Sequence, residues 1–242
     1  MAGHAEQSSG ERIIEAAGQL EAVHRELEIL KSDGGIAVTT RVRQSFAVDL
    51  EELWQCCVRE DRLARWFAPV TGDLRLGGRF SVQDNATGTV ERCAPPGGGQ
   101  AGEMQLSWEF GRDVSQVVVR CEAAEPYRGE SASHDSEAEG SSRLTVEHRG
   151  LIPWDFWSTY GPGAGGVGWD LALLGLAHHL RTGSTVPAEQ TLWVTTAGAE
   201  EFIAGSSAAW GRASEAAGTP AEAAAAAAGR TTRFYTTPDS EE

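Results

Sequence analysis

Apolar positions at Leu50, Leu53, Trp54, Cys57 and Val58 follow the i, i+3, i+4, i+7, i+8 spacing of a single helical stripe and predict a helix there. Asp49 stands at its N-cap position, and Glu52 stands where the acid of a capping box belongs. A second short helix is expected from Asp61, with Leu63, Trp66 and Phe67 on it. Pro69 ends it, because proline has no N–H to give and clashes with the preceding turn. Elsewhere the period is two. Val38, Val42, Phe46 and Val48 share one face of a strand over Ile36–Val48, with Thr39, Arg41, Arg43 and Ser45 opposite. Arg79–Gln83 and Thr87–Cys93 read as a hairpin around Asp84-Asn85-Ala86. Met104, Leu106, Trp108 and Phe110 alternate with Glu103, Gln105, Ser107 and Glu109; Val117, Val119 and Cys121 share a face; so do Leu144, Val146 and His148. Trp169, Leu173, Leu176 and Leu180 then form the stripe of a long helix over about 167–181, which Gly183 ends. Antiparallel strands followed by one long helix make an α+β plan.

Toward the N-terminus, Glu11–Lys31 reads as a helical arm. Ile13, Leu20 and Leu27 fall seven apart, with Ala16, Val23 and Leu30 three after each. This seam is shorter than a sustained coiled coil requires, so the arm is expected either to lie on the main domain or to pair two copies into a homodimer. Ser32-Asp33-Gly34-Gly35 reads as its hinge. Residues 122–142 are acidic, serine-rich and nearly devoid of large apolar groups, the composition of a disordered insertion. Leu151–Gly168 reads as an aromatic, glycine-rich loop in which Trp154, Asp155, Trp157 and Tyr160 are candidates for the mouth of a pocket. Beyond 183 lie the short apolar piece Leu192-Trp193-Val194, a helix over about Ala199–Ala217, and a second helix opened by the capping box Thr219-Pro220-Ala221-Glu222. The expected division is thus an arm and linker at 1–35, a central domain at 36–183, and a helical extension with a frayed tail at 184–242.

The residues Asp49, Trp54, Leu63-Ala64-Arg65-Trp66-Phe67-Ala68-Pro69 and Gly72-Asp73-Leu74-Arg75-Leu76-Gly77-Gly78-Arg79-Phe80 together resemble a family pattern. It is that of the activator of Hsp-ninety ATPase homologue-like branch of the START-like (SRPBCC) superfamily. The resemblance continues through Leu106-Ser107-Trp108-Glu109 and the Leu144–Gly150 strand to Gly168-Trp169, about three fifths of the chain. It implies a helix-grip fold, a curved antiparallel sheet wrapped around the long C-terminal helix with a cavity between them. Sheet and helix faces then offer Phe80, Val82, Leu106, Trp108, Val119, Val146, His148 and Trp169 as cavity lining.

The chain has 242 residues and a formal charge of −15, which argues against nucleic acid and anionic membrane surfaces as partners. It contains no apolar run long enough for a transmembrane helix, and its polar first residues lack a secretory apolar core, so the cytoplasm is the expected compartment. Cys56, Cys57, Cys93 and Cys121 form no C-x-x-C pair and read as small buried hydrophobes. His178 and His179 are adjacent and lack the i, i+4 geometry of a helical metal pair, so no metal or cofactor is expected. Gly163 to Gly168 spells G-x-G-x-x-G, but no strand leads directly into it, as a dinucleotide fingerprint requires.

Three functions follow. One is a non-catalytic module that binds a small apolar or amphipathic molecule in the cavity. The second, which the resemblance implies, is a co-chaperone-like protein with a chaperone as partner; nothing before Ile36 matches the separate docking domain of the eukaryotic activators. The third is a cyclase- or hydrolase-type enzyme using His148, with Asp155 as the acid within reach.

Overall fold

A computed structural model describes residues 18–124, 140–185 and 197–237. Eight antiparallel strands form one curved sheet: β1 (His24–Ser32), β2 (Gly35–Phe46), β3 (Val70–Gly72), β4 (Arg79–Val82), β5 (Thr87–Ala94), β6 (Gly102–Phe110), β7 (Asp113–Ala123) and β8 (Ser142–Ile152), in the spatial order β1-β2-β8-β7-β6-β5-β4-β3. Helices α1 (Leu50–Val58) and α2 (Glu60–Trp66) interrupt the sheet after β2. Four more follow it: α3 (Trp154–Tyr160), α4 (Gly163–Thr182), α5 (Ala197–Ala216) and α6 (Ala221–Thr236). This is the α+β, helix-grip architecture, with α4 as the gripped helix and further helices beyond it.

The alternation in the sequence becomes the two faces of the sheet. Val42, Met104, Leu106, Val117, Leu144 and Val146 are buried on the inner face. The outer face carries a ladder of ion pairs. Arg41 and Arg43 both reach Glu26, Glu147 takes Arg41 and Arg149, and Glu122 takes Arg120 and Arg143. Helix α4 is buried on two sides. Leu173 and Leu176 join the main core, while Val167 and Leu171 pack with Phe202 and Ile203 of α5. Gly183 ends α4 in the left-handed conformation at φ 69°.

The N-terminal arm differs from the expectation. Residues 18–22 are helical, but His24–Ser32 is an edge strand. The expected hinge is a two-residue hairpin turn, Asp33-Gly34, with Ser32 opposite Gly35. An Asp-Gly pair between extended runs is a strong hairpin signal, and β2 offers a free edge that outweighs a helical seam of so few turns. Leu30 is left 71% exposed, so no apolar seam runs along 24–32 for a dimerising helix. Ile13 and Ala16, residues 125–139 of the acidic insertion, and Leu192-Trp193-Val194 lie outside the described residues.

The glycine run is also not a loop. Gly163, Gly165, Gly166 and Gly168 lie in the first two turns of α4, and at Gly163 and Gly166 neighbouring helices approach too closely for a side chain. A Cβ at Gly163 would lie 2.8 Å from Thr231 Oγ1, and one at Gly166 would collide with the indole of Trp210. Upstream, the aromatic run folds as α3 and leans on α6. Arg230 donates to the carbonyls of Ser158 and Thr159, and Thr231 to that of Tyr160, satisfying the last turn of α3. Neither expected capping box forms. Asp49 and Pro220 stand at the N-caps without side-chain hydrogen bonds; Glu52 turns instead to Arg62, and Ser214 donates to Thr219 at 2.8 Å.

One buried polar cluster joins these layers. Asp170 of α4 is fully buried and accepts from Arg25 Nε of β1 at 2.9 Å and Trp210 Nε1 of α5 at 3.1 Å, as well as from Ser206. Burial raises its carboxyl above the ordinary value, against the opposing pull of Arg25, Ser206 and Trp210. Removing one side of a buried pair strands the other charge. Asp170→Asn is therefore expected to lower unfolding stability in urea by about 3–5 kcal/mol. A loss under about 1 kcal/mol, the size of an exposed pair, contradicts this role. The glycines separate in the same assay. Gly166→Ala is expected to cost about 1–3 kcal/mol by overpacking against Trp210. Gly165→Ala, whose Cβ meets nothing within 4 Å, is expected to gain up to about 1 kcal/mol of helix propensity.

Candidate functional site

Between the inner face of the sheet and the helices lies an apolar cavity of about 60 Å³. Strands β4, β6, β7 and β8 contribute Phe80, Val82, Met104, Leu106, Trp108, Val117, Val119, Leu144 and Val146. Cys57, Leu63, Trp66 and Phe67 close one side from α1 and the α2 end, and Trp169 of α4 closes another. Seven of the eight cavity candidates thus stand together: Phe80, Val82, Leu106, Trp108, Val119, Val146 and Trp169. Met104 and Leu144 share faces with chosen residues and were legible by the same alternation. Cys57 and Phe67 depend on how α1 and α2 fold over the sheet, which no local pattern reports.

The eighth candidate, His148, faces an adjoining space, an antechamber of about 160 Å³ that also touches Phe67, Asn85, Trp108, Trp169, Gly165 and Tyr235. Phe67, Trp108 and Trp169 border both spaces. The rings of Phe67 and Trp169 lie 4° from parallel with centroids 6.4 Å apart, and His148 stands edge-on to Trp169 at 5.9 Å. The proposed mouth residues are elsewhere. Trp154, Asp155, Trp157 and Tyr160 lie on α3, and none borders either space. Tyr160 packs instead between Phe156 and Phe234, at 5.0 and 5.3 Å.

The polar groups around the cavity are spent on one another. Trp169 Nε1–H donates to His148 Nδ1 at 3.3 Å. That bond places the imidazole proton on Nε2, which donates to Ser115 Oγ at 2.8 Å. The Ser115 hydroxyl in turn donates to the Trp108 carbonyl at 3.2 Å. Burial lowers the pKa of His148 to about 4, so its ring is neutral near pH 7. Both nitrogens are therefore committed, and Asp155 is not among its partners. Trp66 Nε1–H donates to the Cys56 carbonyl at 3.0 Å. The Cys57 thiol, 3.9 Å from Cys121, is raised well above its ordinary pKa by that contact and by burial, and remains a neutral thiol. Among the described residues, no cluster of His, Cys, Asp and Glu could hold a metal ion. No helix among them is long and apolar enough to cross a membrane.

No protein-family model matches the sequence, and no curated protein matches it. Similar solved structures exist. The crystal structure of CalU16 from Micromonospora echinospora is 25% identical, covers 80% of this chain and 99% of its own, and superposes with a TM-score of 0.55. The solution NMR structure of the same protein is 24% identical over 81% of this chain and 97% of its own, with a TM-score of 0.58. PFC0360w, an Hsp90 activator from Plasmodium falciparum, is 20% identical over 47% of this chain and 74% of its own, with a TM-score of 0.35. The fold is the START-like one that the sequence motifs resemble.

The state of His148 makes stability depend on pH. The unfolded chain takes the imidazole proton near pH 6.5, while the folded protein resists until about pH 4. Stability is therefore expected to fall as pH drops through that window, by up to about 3 kcal/mol at 1.36 kcal/mol per pKa unit. Urea unfolding of the wild type and of His148→Gln at several pH values isolates the effect from the carboxylates. Parallel curves for the two proteins would show that His148 is not held neutral.

Proposed function

We propose that this protein is a non-catalytic binding module that holds a small apolar molecule between the sheet and α4. The observation that carries the reading is the unbroken apolar wall of the space between the sheet and α4. Burying a ring or chain there removes apolar surface from water at roughly 25 cal/mol per Å². The commitment of both His148 nitrogens favours binding over proton-transfer chemistry at that residue.

Native mass spectrometry of protein purified gently from its own host is the direct test. An adduct of small-molecule mass is expected on the wild type. Val119→Phe, which places a ring in the cavity, is expected to remove that adduct without lowering the midpoint of thermal unfolding. An adduct that persists in Val119→Phe locates the ligand elsewhere and overturns the reading.

A further inference from the structure

Cys57 of α1 and Cys121 of β7 are 64 residues apart in the chain, yet their sulfurs stand 3.9 Å from each other in the core. Cys57 is 4% exposed, Cys121 is fully buried, and both are free thiols. Cys56, the helical neighbour of Cys57, turns instead to Glu52 and Arg62. Cys93 lies half-buried on β5. A disulfide holds its sulfurs about 2.05 Å apart, so joining Cys57 to Cys121 asks for about 2 Å of movement shared between two side chains. Folding has already brought the two groups together, and a reaction between groups so held no longer bears the entropy of encounter.

One of the two thiols also faces open space. Cys57 borders the apolar cavity, and Phe67, Trp108 and Trp169 border both that cavity and the antechamber. A single water needs about 10–15 Å³ measured in the same way. The cavity of about 60 Å³ therefore has room beside Cys57 for a neutral molecule little larger than water, the size of hydrogen peroxide.

We propose that Cys57 and Cys121 form a dithiol that a peroxide converts into a disulfide, fastening α1 to β7. The Cys57 sulfur attacks one peroxide oxygen and the O–O bond breaks. The thiol proton passes to the other oxygen, which leaves as water, and Cys57 becomes a sulfenic acid. The Cys121 sulfur then attacks the Cys57 sulfur. The S–O bond breaks, and the hydroxyl leaves with the Cys121 proton as a second water. Two thiols are oxidised and one peroxide is reduced. The thiolate is the nucleophile in such steps, and contact with Cys121 together with burial keeps Cys57 protonated. The first step is therefore slow, and the pair answers sustained rather than brief exposure. Because α1 closes one side of the cavity, the same bond fixes that side. None of this depends on the cavity holding a ligand.

The test exposes the whole folded protein to hydrogen peroxide for increasing times, then reads intact mass, free thiols, linked peptides and thermal unfolding. The expected product is about two mass units lighter. It leaves two of the four cysteines free to label and yields a linked peptide pair carrying Cys57 and Cys121. Its unfolding midpoint is expected to rise by about 5–10 °C, because the bond constrains the unfolded chain, and to return on reduction with dithiothreitol. Cys121→Ala removes the second thiol, so Cys57 should gain one oxygen, about sixteen mass units, with no rise in midpoint. The wild-type result decides even if this variant is unstable. Four thiols that stay reduced until urea unfolds the protein overturn the proposal. So does a bond in which Cys56 or Cys93 replaces either residue.

Discussion

The cluster around Asp170 is the constraint on which the arrangement of layers depends. A carboxylate with no solvent exposure survives only if donors surround it, and here three side chains from two elements do so: Arg25 from the first strand, Ser206 and Trp210 from α5. The helix that bears Asp170 is thereby fixed between the sheet edge and the C-terminal helices. Its rotation about its own axis is fixed with it. That rotation sends Trp169 toward the cavity while Val167 and Leu171 face α5. The same approach of helices explains the glycines of the first turns, since Trp210 both donates to Asp170 and occupies the space a side chain at Gly166 would need.

The cavity follows from this placement. A curved sheet presents a concave apolar face, and α4 covers it, leaving a small cavity of about 60 Å³ among aromatic and aliphatic side chains. Polar groups near its edge are arranged as a chain from Trp169 through His148 and Ser115 to the Trp108 carbonyl. Each bond in that chain fixes the next, because a histidine that accepts on Nδ1 must donate from Nε2. The chain satisfies both nitrogens of the buried imidazole. The charges of the protein, meanwhile, are concentrated on the convex side, where exposed cross-strand pairs such as Arg79–Glu109 meet solvent and contribute little individually.

The likeness to CalU16 agrees with this architecture and reaches four fifths of the chain, including part of the extension beyond the gripped helix. The extension is structural in a specific sense. Helix α6 supplies Arg230 and Thr231 to the end of α3, and its Tyr235 donates to the Ala164 carbonyl at the start of α4. The helices after residue 197 thus brace the entrance of the gripped helix rather than trailing from the domain.

The sequence alone determined the faces. Period-two alternation assigned Leu106, Trp108, Val119 and Val146 to the inner side of the sheet, and the helical stripe assigned Trp169 to the same space, because side-chain direction along one element is set by backbone geometry. Between Gly72 and Phe80, Asp73 accepts from the Arg75 amide at 3.0 Å. Only the tertiary structure decided the rest. His24–Ser32 is a strand because β2 had an edge to offer, a partner no local window contains. The glycine run is helical because Trp210 and Thr231 press against it. Arg25 and Asp170 are 145 residues apart, and neither announces the other. The aromatic residues of α3 left the pocket mouth for α6, and His148 found Trp169 and Ser115, through contacts that exist only once the chain has closed on itself. Periodicity reports which way a side chain points; what it meets there is a property of packing between elements distant in sequence.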